Sequence, residues 1–207
     1  MSANFLSRQF FCSLAVIFGL TVVLGVLPNG TLAQPTPGAS PMKIGVIGSG
    51  NIGSAVGTLW VKAGHQVLFS SRHPENLKEL VNGLGPLARA GTVEDAFNFG
   101  EVMFIGVPYG AYPQLAKDYA KLWNGRIVLD AGNAVLARDG EIGKQAREAG
   151  VALTSAKLFA GARIVRAFNI MSSRKVRSFA NRPEPRLALP IAGDDPQALK
   201  IASRLVR

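Results

Sequence analysis

Met42 to Arg72 reads MKIGVIGSGNIGSAVGTLWVKAGHQVLFSSR. Lys43 to Ile47 is a short apolar run suited to a buried parallel strand. Gly48-Ser49-Gly50-Asn51-Ile52-Gly53 follows at once with G-x-G-x-x-G spacing. From Asn51 to Ala63, the residues Ile52, Val56, Leu59, Trp60 and Ala63 recur at helical intervals, and Gly64 stands where a C-terminal cap belongs. Val67 to Ser70 is a second strand. The stretch is therefore strand, glycine turn, helix, strand.

Each glycine in that turn has a physical task. Gly48 permits the tight exit from the strand, and Gly50 leaves the backbone open to a pyrophosphate. Gly53 allows close packing of the helix on the sheet. The unpaired N–H groups and positive end of the helix then face the phosphates. Inside a strand–turn–helix unit of about thirty residues, this spacing points to dinucleotide binding. The end of the second strand indicates which dinucleotide. An NAD site places an acid about twenty residues past the glycines to hold the ribose 2′-hydroxyl. Here the chain reads Ser70-Ser71-Arg72-His73-Pro74, with no acid before Glu75. Hydroxyls and a guanidinium suit a 2′-phosphate, so NADP is expected in preference to NAD. His73 either touches that phosphate or stands beside it.

The 207 residues, 48% apolar and 17% charged, allow one domain with a proper core plus a leader. The one cysteine, Cys12, rules out a disulfide framework, and the two histidines lack a ligand-spaced carboxylate cluster. Of the net charge of +10, all but the single charge of Arg8 resides in the part after the leader. That charge suits anionic ligands such as NADP. It would also serve a membrane surface or nucleic acid, though nucleic acid is not the expected partner. Seven basic residues between Arg163 and Arg186 face a single acid, Glu184.

Residues 1–34 read as a signal peptide or N-terminal anchor, with Arg8 before the apolar run Phe10–Leu27 and Thr31-Leu32-Ala33 as a cleavage pattern. Either form exports the domain, to the periplasm or to a membrane it associates with through the leader. Translation from Met42 would instead give a cytoplasmic form. Residues 35–41 are a linker, and 42–207 the nucleotide-binding domain. Within it, Pro74–Asn82 is expected as a helix and Thr92 as the cap of another, with Asp95 three residues on. Glu101–Val107 reads as a strand breaking at Pro108-Tyr109-Gly110, and Tyr112–Trp123 as a helix. Arg126–Leu129 reads as a strand ending in Asp130-Ala131-Gly132-Asn133. A helix over Val151–Ala160, strands over Arg163–Phe168 and Arg186–Ile191, and a helix capped by an Asp before Pro196 complete the pattern. This alternation predicts an α/β, Rossmann-type doubly wound, mainly parallel sheet with helices on both faces. Val107, Pro108, Tyr109, Ala131, Gly132, Asn133 and Asn169 fall at the carboxyl edge, where such sheets bind ligands. Tyr109 either stacks on a nicotinamide or covers the sheet edge; the asparagines either bond the ligand or satisfy turns.

With these residues in hand, the domain resembles the NADP-dependent reductases of the deazaflavin coenzyme F-420, whose relatives include the NADPH-binding domain of membrane metalloreductases. The resemblance rests on the Met42–Arg72 stretch, Val107-Pro108, Asp130-Ala131-Gly132-Asn133, Arg166-Ala167-Phe168-Asn169 and Ala192-Gly193-Asp194-Asp195. It implies an oxidoreductase moving a hydride between NADP(H) and a deazaflavin or flavin. The glycine loop (Gly48 to Gly53) would hold the pyrophosphate, Ser71 and Arg72 the 2′-phosphate, and the second ring would lie near Phe168–Met171. Family members continue past the Gly-Asp-Asp helix, so a C-terminally short fold is expected, with the second-substrate site and any homodimer contact incomplete. Two other readings are an NADP-binding sensor without turnover and an imine reductase of the pyrroline-5-carboxylate-reductase kind.

Overall fold

The computed structural model describes residues 40–180 and 182–207. The expected leader over 1–34 and most of the linker lie outside the described residues. Among those described, no helix is long and apolar enough to cross a membrane.

The fingerprint forms as its pattern requires. Strand β1 (Lys43–Ile47) passes into helix α1 (Asn51–Lys62) and then strand β2 (Gln66–Ser70). Gly64 takes a left-handed φ of 90° at the helix end. The remaining strands are β3 (Ala88–Gly91), β4 (Val102–Ile105), β5 (Ile127–Asp130), β6 (Arg163–Arg166) and β7 (Ala192–Gly193). They join in the order β3-β2-β1-β4-β5-β6-β7. Every pairing is parallel except β6 with β7, where Val165 faces Gly193 and Arg166 faces Ala192.

Helices cover both faces, which is why β4 and β5 are apolar almost throughout and buried at every position. On one face, α1 and α8 (Pro196–Leu205) close over Ile44, Val46, Val67, Phe104 and Leu129. Trp60 of α1 meets Phe104 edge-to-face at 5.3 Å and donates its Nε1–H to the carbonyl of Leu205 at 2.8 Å, pinning α8 to the sheet. On the other face, α3 (Val93–Phe99), α4 (Tyr112–Asp118) and α6 (Val151–Leu158) close over Ile47, Leu68, Met103, Ile105 and Val128. Phe97 and Trp123 pack edge-to-face there at 4.7 Å.

Caps behave as expected. Thr92 and Asp95 form a reciprocal capping box, and Asp195 accepts from the Ala198 N–H at 2.6 Å ahead of Pro196. Several elements depart from expectation. Pro74–Leu77 is a 3-10 turn before α2 (Lys78–Leu84), and α4 stops at Asp118, with a separate turn over Ala120–Leu122. Arg186–Ile191 is not a strand. Pro190 removes a ladder donor, the run is mostly exposed, and the final strand is instead Ala192–Gly193. Strand β6 ends at Arg166, because Phe168 adopts a left-handed φ of 63°. Two helices had no forecast: α5 (Leu136–Ala149), broken by Gly140 at φ 54°, and α7 (Ser173–Phe179).

Candidate cofactor site

The glycine loop lies between the carboxyl ends of β1, β2 and β4. Gly48 turns the chain at φ 87°, and a Cβ there would collide with the Val107 side chain. A Cβ on Gly53 would strike the Gly48 carbonyl oxygen, so that glycine is required by the fold itself. Gly50 differs: a Cβ there would meet nothing within 4 Å. The space over Gly50 is open to solvent, and the protein alone does not demand a glycine there. This is what a backbone kept bare for a ligand looks like. Gly50 is the N-cap of α1 and supplies no side-chain cap, and the first turn holds no acid. The helix therefore presents unpaired N–H donors and its positive end at an open surface. Ser49 donates to the carbonyl of Ser70 at 3.0 Å, tying the loop to the end of β2. Asn51 is exposed and Ile52 half-buried at the same opening.

Past β2, Ser71 donates its N–H to Gly91 at 3.1 Å, and its hydroxyl accepts the His73 N–H at 3.0 Å. Arg72 projects exposed from this turn and joins none of the ion pairs among the described residues. His73 is exposed and lies 3.3 Å from Glu75. The hydroxyl, guanidinium and imidazole are thus brought to one turn beside the glycine loop.

Val107 lies just past β4 with its side chain against Gly48, and Pro108 follows it exposed. Tyr109 must be corrected as a cofactor contact. A 3-10 turn over Tyr109–Ala111 carries its ring under the sheet edge, where it is fully buried and stacks on Tyr112 at 4.4 Å. Its hydroxyl lies 3.2 Å from the Val151 carbonyl, as donor, and 3.3 Å from Ser155 Oγ. Burial raises its pKa, so the neutral phenol is retained.

A polar network underlies the loop after β5. Asp130, fully buried, accepts from the Tyr112 hydroxyl at 2.6 Å, from the Gly132 N–H at 2.8 Å and from Arg166 at 2.6 Å. Arg166 also donates to the Gly132 carbonyl at 2.6 Å. Burial, and then the Asp130 charge, hold the Tyr112 phenol well above its ordinary range. Above this network, half-buried Ala131, buried Gly132 and exposed Asn133 line the crevice, and Asn133 donates its amide to the Asn169 carbonyl. Arg138 donates to the Asn133 carbonyl at 2.8 Å and to Asp139. Asp139 in turn accepts from the N–H groups of Gly110 at 3.0 Å and Val135 at 2.8 Å. A shallow cleft of about 360 Å³ continues from Arg166 and Asn169 to Ile170, Pro190 and Ile191.

Tyr112, Arg138 and Asp139 were not singled out by sequence as parts of the site. Asp130 stands in a motif without an assigned role, and Arg166 reads in the sequence as one of the basic cluster between Arg163 and Arg186, suited to an anionic coenzyme tail rather than to pairing with Asp130. Among the described residues, no cluster of His, Cys, Asp and Glu could hold a metal.

The sheet order, the open glycine turn and the acid-free end of β2 define a nucleotide-binding domain of the Rossmann type. Residues 43–134 match the family described as NADP oxidoreductase, coenzyme F420-dependent, and over that stretch the chain is similar to this family. The chain is 30% identical over 180 residues to the metalloreductase STEAP3 of Rattus norvegicus, covering 86% of this chain and 34% of that protein. It thus spans about a third of that relative's length. Among solved structures, a hypothetical protein from Sinorhizobium meliloti superposes with a TM-score of 0.69 at 25% identity, covering 80% of each chain. A protein from Arthrobacter sp. FB24, provisionally assigned as an F420-dependent NADP reductase, gives 0.61 at 19% identity, also covering 80% of each. At that identity the likeness speaks for the fold alone.

Proposed function

We propose that this domain binds NADP(H) across the β1–β4 crevice and exchanges a hydride with a flavin or deazaflavin ring held beside it. The observation that carries the reading is the pairing of an open space over Gly50 with an exposed Arg72, in no ion pair among the described residues, at an acid-free β2 end. The residues present fit the dinucleotide. The loop from Gly48 to Gly53 offers backbone donors to the pyrophosphate, and Ser71, Arg72 and His73 offer charge and hydrogen bonds to a 2′-phosphate.

Bound NADPH supplies two electrons and one hydrogen as hydride from its nicotinamide. The chain's contribution is placement. Val107, Pro108 and the Ala131–Asn133 loop bound the crevice, and the Asp130–Arg166 network fixes that loop from below. The cleft from Arg166 and Asn169 to Ile191 adjoins the same loop and suits a flat second ring. Close alignment of two rings needs no side-chain acid or base, and the proton that completes reduction of the acceptor comes from solvent. The family match and the relative named as a metalloreductase support redox chemistry with NADP(H), and the acceptor is our assignment.

The test is a titration of the full chain with NADPH and NADH by nicotinamide fluorescence, followed by oxidised coenzyme F-420 or a free flavin. Selective NADPH binding with oxidation on addition is expected. Selective binding without turnover on either acceptor would leave a cofactor-binding module and refute the proposed acceptor class.

A further inference from the structure

Arg177 stands on α7, which packs along α1. Its Nη2 donates to the Asn51 carbonyl at 3.2 Å and to the Ser54 hydroxyl at 3.0 Å, both in the first turn of α1. The residue is exposed, and it joins none of the ion pairs among the described residues.

By itself that position is electrostatically adverse. The amino end of a helix carries partial positive charge and favours anions over cations. The first turn of α1 has no acidic residue to offset the guanidinium. Arg174 and Lys175, exposed on the same short helix, add positive charge of their own. A forked cation is therefore held beside unpaired N–H donors and an open space above Gly50, and among the described residues no carboxylate pairs with it. Such an arrangement suits a polyoxygen anion, which a guanidinium binds with two parallel donors.

We infer that Arg177 is a phosphate ligand, forming from α7 a second wall of the pyrophosphate site opposite the glycine loop. The inference rests on the dinucleotide reading above and extends it to a residue far from the fingerprint. The pyrophosphate is common to NADPH, NADH and ADP-ribose, so Arg177 strengthens all three alike. Arg72, which faces the 2′-phosphate, discriminates between NADPH and NADH.

The experiment compares the full-length wild type with R177A, R177K and R72A. NADPH and NADH are titrated by fluorescence and ADP-ribose by calorimetry, and the melting temperature is recorded without ligand. R177A should weaken all three ligands by about tenfold, the worth of one charge-assisted hydrogen bond. The NADPH-to-NADH preference should not change, and R177K should fall between R177A and wild type. The unliganded melting temperature should hold or rise, because a cation has left the positive end of a helix. R72A should lower the preference ratio instead. Unchanged affinities in R177A would overturn the inference, as would a loss confined to NADPH. So would a loss accompanied by a lower unliganded melting temperature, which would make Arg177 a mere tie between α7 and α1. A wild type that binds none of the three ligands would overturn the dinucleotide reading itself, a result separable from these.

Discussion

Arg166 and Asp130 form an ion pair 2.6 Å long across β5 and β6, with the carboxylate fully buried and the arginine side chain 11% exposed. The pair is complete only with its neighbours. Tyr112 and the Gly132 N–H satisfy the second carboxylate oxygen, and the second arginine nitrogen bonds the Gly132 carbonyl. Both polar groups of Gly132 are thus held by one pair of side chains, which fixes the loop that borders the crevice. Arg166→Leu leaves a buried carboxylate without its cation and should cost about 3–5 kcal/mol. Urea unfolding measures this, and a loss below about 1 kcal/mol would mean Asp130 is paired in some other way.

The glycines of the fingerprint should separate under substitution. Gly53→Ala drives a methyl into the Gly48 carbonyl and must deform the turn, at about 1–3 kcal/mol of stability. Gly50→Ala meets nothing in the protein, and its φ of −71° suits alanine. Its melting temperature should stay within a few degrees of wild type, since losing glycine at an N-cap and restricting the unfolded chain are opposing effects of about 1 kcal/mol or less each. NADPH affinity should fall at least about tenfold, as the methyl takes the phosphates' space. Thermal melts paired with fluorescence titration check both halves. Full affinity in Gly50→Ala would place the pyrophosphate elsewhere.

Much of this was legible in the sequence, for identifiable reasons. Strands β1, β2, β4 and β5 are short apolar runs ending in Gly, Pro or polar residues, the signature of a parallel sheet covered on both faces. Strand β3 escaped notice because Ala-Arg-Ala-Gly at a sheet edge carries almost no apolar signal. Helix α5 was hidden by its charged residues and by Gly140, and Arg186–Ile191 imitated a strand until Pro190 is weighed. Tyr109 stands in the break after β4, where the sequence leaves stacking on a ligand and covering the sheet edge both open, and a turn of three residues decides it by putting the ring in the core. Asp139 gave no local sign at all, because one of its partners, Gly110, lies 29 residues away and only the fold brings them together.

Arg72 should govern the choice of cofactor. It is exposed beside the glycine loop with no carboxylate pairing it among the described residues. Arg72→Glu would replace the proposed 2′-phosphate ligand with a repelling charge. NADPH affinity should drop about a hundredfold, while NADH changes by less than about threefold. Parallel titrations decide the point, and equal losses for both cofactors would remove the 2′-phosphate assignment.

Asp139 makes the domain sensitive to acid. Burial alone would raise its pKa, but Arg138 and the N–H groups of Val135 and Gly110 outweigh burial and hold it at about 2, against an ordinary 3.8. A carboxyl with a folded-state pKa below its unfolded value stabilises the fold above the unfolded value. That contribution, on the order of 2 kcal/mol, is fully present above about pH 4 and is lost as pH falls toward 2. Asp139→Asn cannot accept on both oxygens, so it should cost about 1–3 kcal/mol near neutrality and lose less than wild type on acidification. Urea midpoints for both proteins between pH 2 and 7 should therefore converge on the acid side. A gap between them that stays constant through pH 4 to 2 would show that Asp139 does not carry this sensitivity.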